Sequence, residues 1–185
     1  VREDAVIASN TSSLSIDDIG QLASRRERVV GMHFFNPVDK MPLVEVIAGS
    51  LTAESAVRTA TAFARRLGKT PVIVRDGPGF LVNRLLAFYS AEAMWLLDEG
   101  HRVEAIDRAL VDWGMPMGPL RLADEVGLDV SARVGRILHG AFPDRLLFPA
   151  WIERIAGDAT RLGAKSGRGI YAYKKGREQE PDPAI

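Results

Sequence analysis

No cysteine occurs among the 185 residues. That excludes a disulfide framework, a thiolate metal site and a cysteine nucleophile. An excess of one charge is missing too: Lys plus Arg and Asp plus Glu number 24 each, so the formal net charge is zero. Nucleic-acid binding draws on a basic field that this chain does not have. No apolar run approaches the ~18 residues of a membrane span, and no basic-then-apolar leader opens the chain. A reducing, cytoplasmic setting fits these absences. There is no initiator Met; Val1-Arg2-Glu3-Asp4 leads directly into Ala5-Val6-Ile7-Ala8, as expected of a piece of a longer chain. No Gly-x-Gly-x-x-Gly turn follows a strand anywhere, and Gly77-Pro78-Gly79 has the wrong spacing for one. What is present is 46% hydrophobic and 26% charged, a composition that folds.

Strand and helix patterns alternate in the first part. Short apolar runs predict strands over Ala5 to Ser9, Val29 to Phe35, Leu43 to Ile47 and Pro71 to Arg75. Helical spacing predicts Ser15 to Ser24, with Asp17 and Asp18 in its first turn and Ser13 as the natural cap. A second helix opens at Thr52-Ala53-Glu54, runs to about Leu67 and stops at Gly68. This alternation defines an α/β layer. Four short strands without a glycine-rich first turn read as the back part of a larger α/β domain.

The pattern changes at Asp76-Gly77-Pro78-Gly79 and is nearly all helical beyond it. Helices are expected over Phe80 to Asp98, Val103 to Trp113, Leu120 to Val126, Leu128 to about His139, and Pro149 to Ile155. Gly163 to Gly169 is a basic, glycine-rich loop, and Gly169 to Tyr173 a small terminal strand. The expected organisation is 1–76 as the α/β part, 77–173 as a helical domain, and 174–185 as a polar tail or linker.

Two residues stand out chemically. His33 and Glu45 each interrupt an apolar strand-like run, where a polar group is costly unless partnered. The intervening Asn36-Pro37 allows one strand to end and another to return beside it. A carboxylate beside a histidine fixes its tautomer and steadies the imidazolium, as a general base requires. A buried histidine bonded to a carbonyl, with Glu45 at a sheet edge, is the plainer alternative. Asn10-Thr11-Ser12-Ser13 follows a strand, where ligands of open α/β sheets gather, so Ser12 is either a ligand hydroxyl or part of a helix cap. Asn83 lies inside a predicted helix and needs a partner, either a protein group or a substrate oxygen. His101 and His139 read as surface residues, Asp124, Glu125 and Asp129 as solvated acids at a helix junction. Lys165 and Arg168 belong to a solvated basic loop or meet phosphates, and Trp95, Trp113 and Trp151 read as core.

Taken in order, several motifs resemble the 3-hydroxyacyl-CoA dehydrogenase family over nearly the whole chain. They are Ala8-Ser9-Asn10-Thr11-Ser12-Ser13, His33-Phe34-Phe35-Asn36-Pro37 with Leu43-Val44-Glu45-Val46-Ile47, and Gly68-Lys69. Further on come Asp76, Pro78-Gly79-Phe80, Val82-Asn83-Arg84, Pro116-Met117-Gly118-Pro119 and Asp124 to Asp129. The resemblance implies the C-terminal part of a Rossmann-like NAD-binding domain followed by an all-α domain. It implies His33 as catalytic base with Glu45 as its orienting partner, and Ser12 and Asn83 as holders of the substrate oxygens. Asn10 and Ser12 are implied on the NAD side. The implied reaction oxidises an L-3-hydroxyacyl-CoA to the 3-ketoacyl-CoA in fatty-acid β-oxidation, in a homodimer joined through the helical domain. Met41-Pro42-Leu43, the opening residues and the Lys174 to Arg177 tail lean toward a multifunctional fatty-acid oxidation branch. A stand-alone 3-hydroxybutyryl-CoA dehydrogenase, a non-catalytic helical dimerisation module and a sugar-acid dehydrogenase are the alternatives. Phe34-Phe35 leans against the last. With no glycine-rich turn, the 185 residues alone are expected to bind NAD poorly and to be inactive.

Overall fold

The computed structural model describes residues 2, 4–174, 177–183 and 185. They form two compact units, 1–84 and 85–185. The first is an α/β layer: β1 (Ile7–Ser9), α1 (Ile16–Gln21), β2 (Val29–Phe34), β3 (Leu43–Ala48), α2 (Glu54–Arg66) and β4 (Thr70–Arg75). The sheet order is β1-β2-β3-β4, with β1 and β2 parallel, β3 antiparallel to β2, and β4 parallel to β3.

Both faces of the two central strands are covered, which is why their sequences are almost continuously apolar. Val30, Met32, Val44 and Val46 point to α2 and pack on Val57, Ala60 and Ala64. The opposite face carries Val29 and Ile47, packed on Ile16 and Phe80. Strand alternation puts His33 and Glu45 on this second face. Gly31 lies between Val29 and His33 there. A Cβ on Gly31 would sit 2.8 Å from Ile47, so only glycine lets that side chain close against β2. α2 shows its buried stripe at Ala56, Val57, Ala60, Thr61 and Ala64, and the chain turns out at Gly68 with φ +73°.

α1 ends at Gln21, earlier than its pattern predicts, and its cap is Ser15 rather than Ser13. Ser15 Oγ accepts from the Asp18 amide at 3.2 Å and donates to Asp76 Oδ2 at 2.7 Å. Asp76 Oδ2 also accepts from the Asp17 amide at 2.9 Å, so a distant carboxylate completes the cap.

The second unit is helical: α3 (Val82–Asp98), whose first residues lie in the first unit, then α4 (Val103–Trp113), α5 (Pro119–Val126), α6 (Leu128–Ala141) and α7 (Trp151–Ala156). A hairpin of β5 (Tyr171–Lys174) and β6 (Arg177–Pro181) follows. Four sequence-based expectations are corrected. α3 starts at Val82, not Phe80, because Gly79 and Phe80 take positive φ values of 71° and 46°, outside the helical region. Part of the segment expected as a polar tail pairs with β5 and is strand, and Asp182 beyond it is buried and bonded to Arg168. Trp113 is 77% exposed rather than core, since α4 turns it outward at its last residue. Asp124 is fully buried rather than solvated.

Asp124 holds the start of β5. Its carboxylate accepts from the Ile170 amide at 2.9 Å, the Tyr171 amide at 2.8 Å and the Tyr173 hydroxyl at 3.0 Å. Burial pushes its carboxyl above the usual range, outweighing those three hydrogen bonds; nearby Asp107 adds to the rise. Asp107 does the same for α5, accepting from the Leu120 amide at 2.8 Å, the Arg121 amide at 3.0 Å and the Tyr171 hydroxyl at 2.8 Å. Gly118 permits this approach: a Cβ there would lie 2.2 Å from Asp107 Cγ. Replacing Asp124 by alanine strands two buried amides and is expected to cost about 2–4 kcal/mol in urea unfolding. An unchanged unfolding midpoint for Asp124→Ala would contradict that role.

Candidate active site

β2 and β3 face each other in antiparallel register, and His33 is the direct partner of Glu45. Directly opposed residues project to the same side of a sheet and meet. His33 Nδ1 lies 2.8 Å from Glu45 Oε2. Glu45 is completely buried and His33 is 6% exposed. The other carboxylate oxygen, Oε1, accepts from the Leu81 and Val82 amides, both at 2.9 Å. These are open N–H groups at the start of α3, where a helix favours a negative charge.

The pair is thus fully partnered on the carboxylate side. Burial acts to raise the Glu45 carboxyl, but the hydrogen bonds from His33, Val82 and Leu81, with the His33 charge, outweigh it and hold the carboxyl below its usual range. The ionised Oε2 can only accept, so Nδ1 donates its N–H to it, which assigns the neutral ring as the Nδ1–H tautomer. Nε2 has no hydrogen-bond partner among the described residues. Two aromatic rings lie against the imidazole: Phe35 with centroids 4.6 Å away and Phe80 at 5.9 Å, both tilted. Such a nitrogen can accept a proton from a ligand while the opposite side of the ring stays fixed.

The remaining expected site residues cluster around the end of β1. Asn10 Oδ1 accepts from the Phe34 amide at 3.0 Å, joining the residue after β1 to the residue after His33. Asn83 Nδ2 donates to the Ser12 carbonyl at 3.1 Å, so the mid-helix asparagine has a protein partner. Ser12 is exposed, and its hydroxyl has no hydrogen-bond partner among the described residues. The geometry therefore joins His33 to Glu45, Asn10 to the end of β2, and Asn83 to Ser12. Sequence reasoning missed Phe80, which it placed inside a helix, and the Leu81 and Val82 amides. Two glycines and a proline just before Phe80 were the available signal.

Other candidates are structural. Lys165 pairs with Asp129 at 2.5 Å and Arg168 with Asp182, so both cations of the glycine-rich loop have carboxylate partners. His101 and His139 are exposed, and His139 Nδ1 bonds to the Leu146 carbonyl at 2.8 Å. No cluster of three or more metal-ligating side chains occurs among the described residues.

A mixed sheet bearing a buried histidine–carboxylate pair near strand ends, followed by a helical unit, defines the class of fold: an α/β domain with an all-α domain after it. The comparisons specify the class. Residues 1–77 match the family model described as 3-hydroxyacyl-CoA dehydrogenase, NAD binding domain, and residues 79–173 match the model of its C-terminal domain. The chain belongs to the 3-hydroxyacyl-CoA dehydrogenase family. It is 52% identical to the fatty acid oxidation complex subunit alpha of Shewanella frigidimarina over 171 residues, which are 92% of this chain. It spans about a quarter of that relative, 24%. Among solved structures, the (S)-3-hydroxybutyryl-CoA dehydrogenase of Ralstonia eutropha is 42% identical with a TM-score of 0.89, covering 95% of this chain and 62% of that one. The 3-hydroxybutyryl-CoA dehydrogenase of Escherichia coli K12 is 40% identical with a TM-score of 0.85, covering 94% and 38%.

The depressed Glu45 carboxyl has a pH consequence. Its stabilisation is fully present above the unfolded glutamate value of ~4.3 and is lost as pH falls through the lower folded value. The stability gap between wild type and Glu45→Gln should narrow as a series of urea titrations descends below about pH 4. A gap independent of pH would contradict an ionised, hydrogen-bonded Glu45.

Proposed function

We propose that this chain carries the acid–base machinery of an NAD-dependent L-3-hydroxyacyl-CoA dehydrogenase of fatty-acid β-oxidation. The observation that carries it is the His33 ring, bonded through Nδ1 to Glu45 at 2.8 Å while Nε2 has no partner among the described residues. His33 Nε2 takes the proton of the C3 hydroxyl as C3 becomes a ketone. Glu45 keeps the ring in one tautomer and stabilises the imidazolium that results. Because Glu45 is itself held by the Leu81 and Val82 amides, it orients His33 without drifting toward the incoming proton. In the reverse direction His33 returns the same proton to the alkoxide oxygen.

Ser12 and Asn83 hold the reacting oxygens: Ser12 offers a hydroxyl with no partner among the described residues, and Asn83 is fixed by its bond to the Ser12 carbonyl. The residues fit a dinucleotide on the side of β1. Asn10 keeps both amide N–H donors after its Oδ1 has accepted from Phe34, and the exposed Ser12 hydroxyl is free to bond a carboxamide or ribose. When bound, the oxidised nicotinamide supplies the acceptor for the hydride leaving C3. No helix among the described residues is long and apolar enough to cross a membrane. A cytoplasmic setting and a homodimer through the helical unit complete the reading.

The test is NADH formation from 3-hydroxybutyryl-CoA and a long-chain homologue by the full-length protein. His33→Gln should lower kcat by about 10²–10⁴-fold, the usual contribution of a general base. A near wild-type kcat in that variant would remove His33 from the mechanism.

A further inference from the structure

Phe80 adopts φ +46°, a left-handed conformation that a bulky residue rarely takes. Such a backbone carries a steric cost for any residue with a Cβ. Glycine would be free of that cost, and the same turn already places Gly77 and Gly79 on either side of Pro78. The side chain at 80 must therefore contribute something that glycine lacks. Part of it is burial: Phe80 is 4% exposed and packs with Ile16, Val29 and Ile47. The remainder faces the imidazole, with the two ring centroids 5.9 Å apart and the planes at 58°. That separation lies within the range of tilted aromatic contacts.

The backbone does a second thing at the same place. The turn closes with the Phe80 amide on the Gly77 carbonyl at 3.0 Å, and the next two amides, Leu81 and Val82, converge on Glu45 Oε1. One strained residue thus delivers a ring to His33 and two donors to its carboxylate partner. Phe35 also contacts the imidazole, with centroids 4.6 Å apart, so two rings and the bond to Glu45 together restrict its orientation. Covering the Nδ1 hydrogen bond also keeps water from competing for it, which strengthens it.

We propose that Phe80 is a positioning residue of the active site, holding the His33 imidazole in the tautomer and orientation in which Nε2 acts as base. The proposal rests on the functional reading above, so its test reads both catalysis and the resting imidazole. Phe80→Gly relieves the backbone strain and removes the ring; Phe80→Leu keeps an aliphatic group in the cluster with Ile16, Val29 and Ile47. Both would be compared with wild type and His33→Gln in the full-length protein. Steady-state oxidation of 3-hydroxybutyryl-CoA gives kcat and KM, and long-range proton–nitrogen spectra of His33 give the tautomer without substrate.

The expected result is a kcat roughly tenfold or more lower with KM little changed, the scale of a misplaced catalytic group. In the spectra the two ring nitrogens, distinct in wild type, should move toward averaging. Wild-type kcat with an unchanged tautomer in either folded variant overturns the proposal. So does a fall in kcat with an unchanged tautomer, since the loss then arises elsewhere. Should His33→Gln retain the wild-type rate, the base assignment fails, and the imidazole spectra alone decide whether Phe80 positions the ring.

Discussion

A carboxylate with no solvent exposure needs its lone pairs filled, and Glu45 fills them from two directions. One oxygen meets His33 from the neighbouring strand; the other meets the two amides that open α3. Removing any one of the three donors leaves a buried charge short of a partner, which is far more costly than the bond itself is worth. The β2–β3 register, the turn before α3 and the orientation of His33 are therefore tied to a single side chain. A one-residue slip of β2 against β3 would turn His33 to the α2 face and leave Glu45 without it.

The same device recurs. Asp76 reaches α1, Asp107 reaches α5, and Asp124 reaches the amides at the start of β5, each accepting at least one backbone N–H from a distant segment. Helices α3 through α7 have no side-chain cap of their own where the cap is described, and at α5 the single long-range carboxylate of Asp107 supplies what local residues do not. Glu45 differs from the structural acids in having a histidine as its third donor. That difference converts a capping device into a candidate acid–base pair. Asp124, whose donors are two amides and a phenol, is pushed toward protonation, whereas Glu45 is held ionised.

Much of the site was legible because polar residues in apolar strands need a reason. His33 and Glu45 stood out on that ground and do meet. α4 was legible to the residue, since its apolar spacing ends at Gly114, which takes φ +122°. The start of α3 was not, because Phe80 and Leu81 continue the helical spacing of apolar residues while the backbone at Phe80 departs from it. Asp124 was read as solvated because it adjoins Glu125; its burial depends on amides 46 and 47 residues away. β6 was hidden by its charged composition, and its pairing with β5 is a tertiary fact that composition does not encode.

Membership of the 3-hydroxyacyl-CoA dehydrogenase family and the geometry of the His33–Glu45 pair bear on one physical picture: a histidine, which we propose to be the base, whose orientation is set by a carboxylate anchored at a helix start. The most direct measurement is amide hydrogen exchange at Leu81 and Val82 in wild type and in Glu45→Ala. Protection at these two amides should be lost in the variant while the interior of α3, at Ala91, stays protected. Equal protection at Leu81 and Val82 in both proteins would contradict the anchor and the picture built on it.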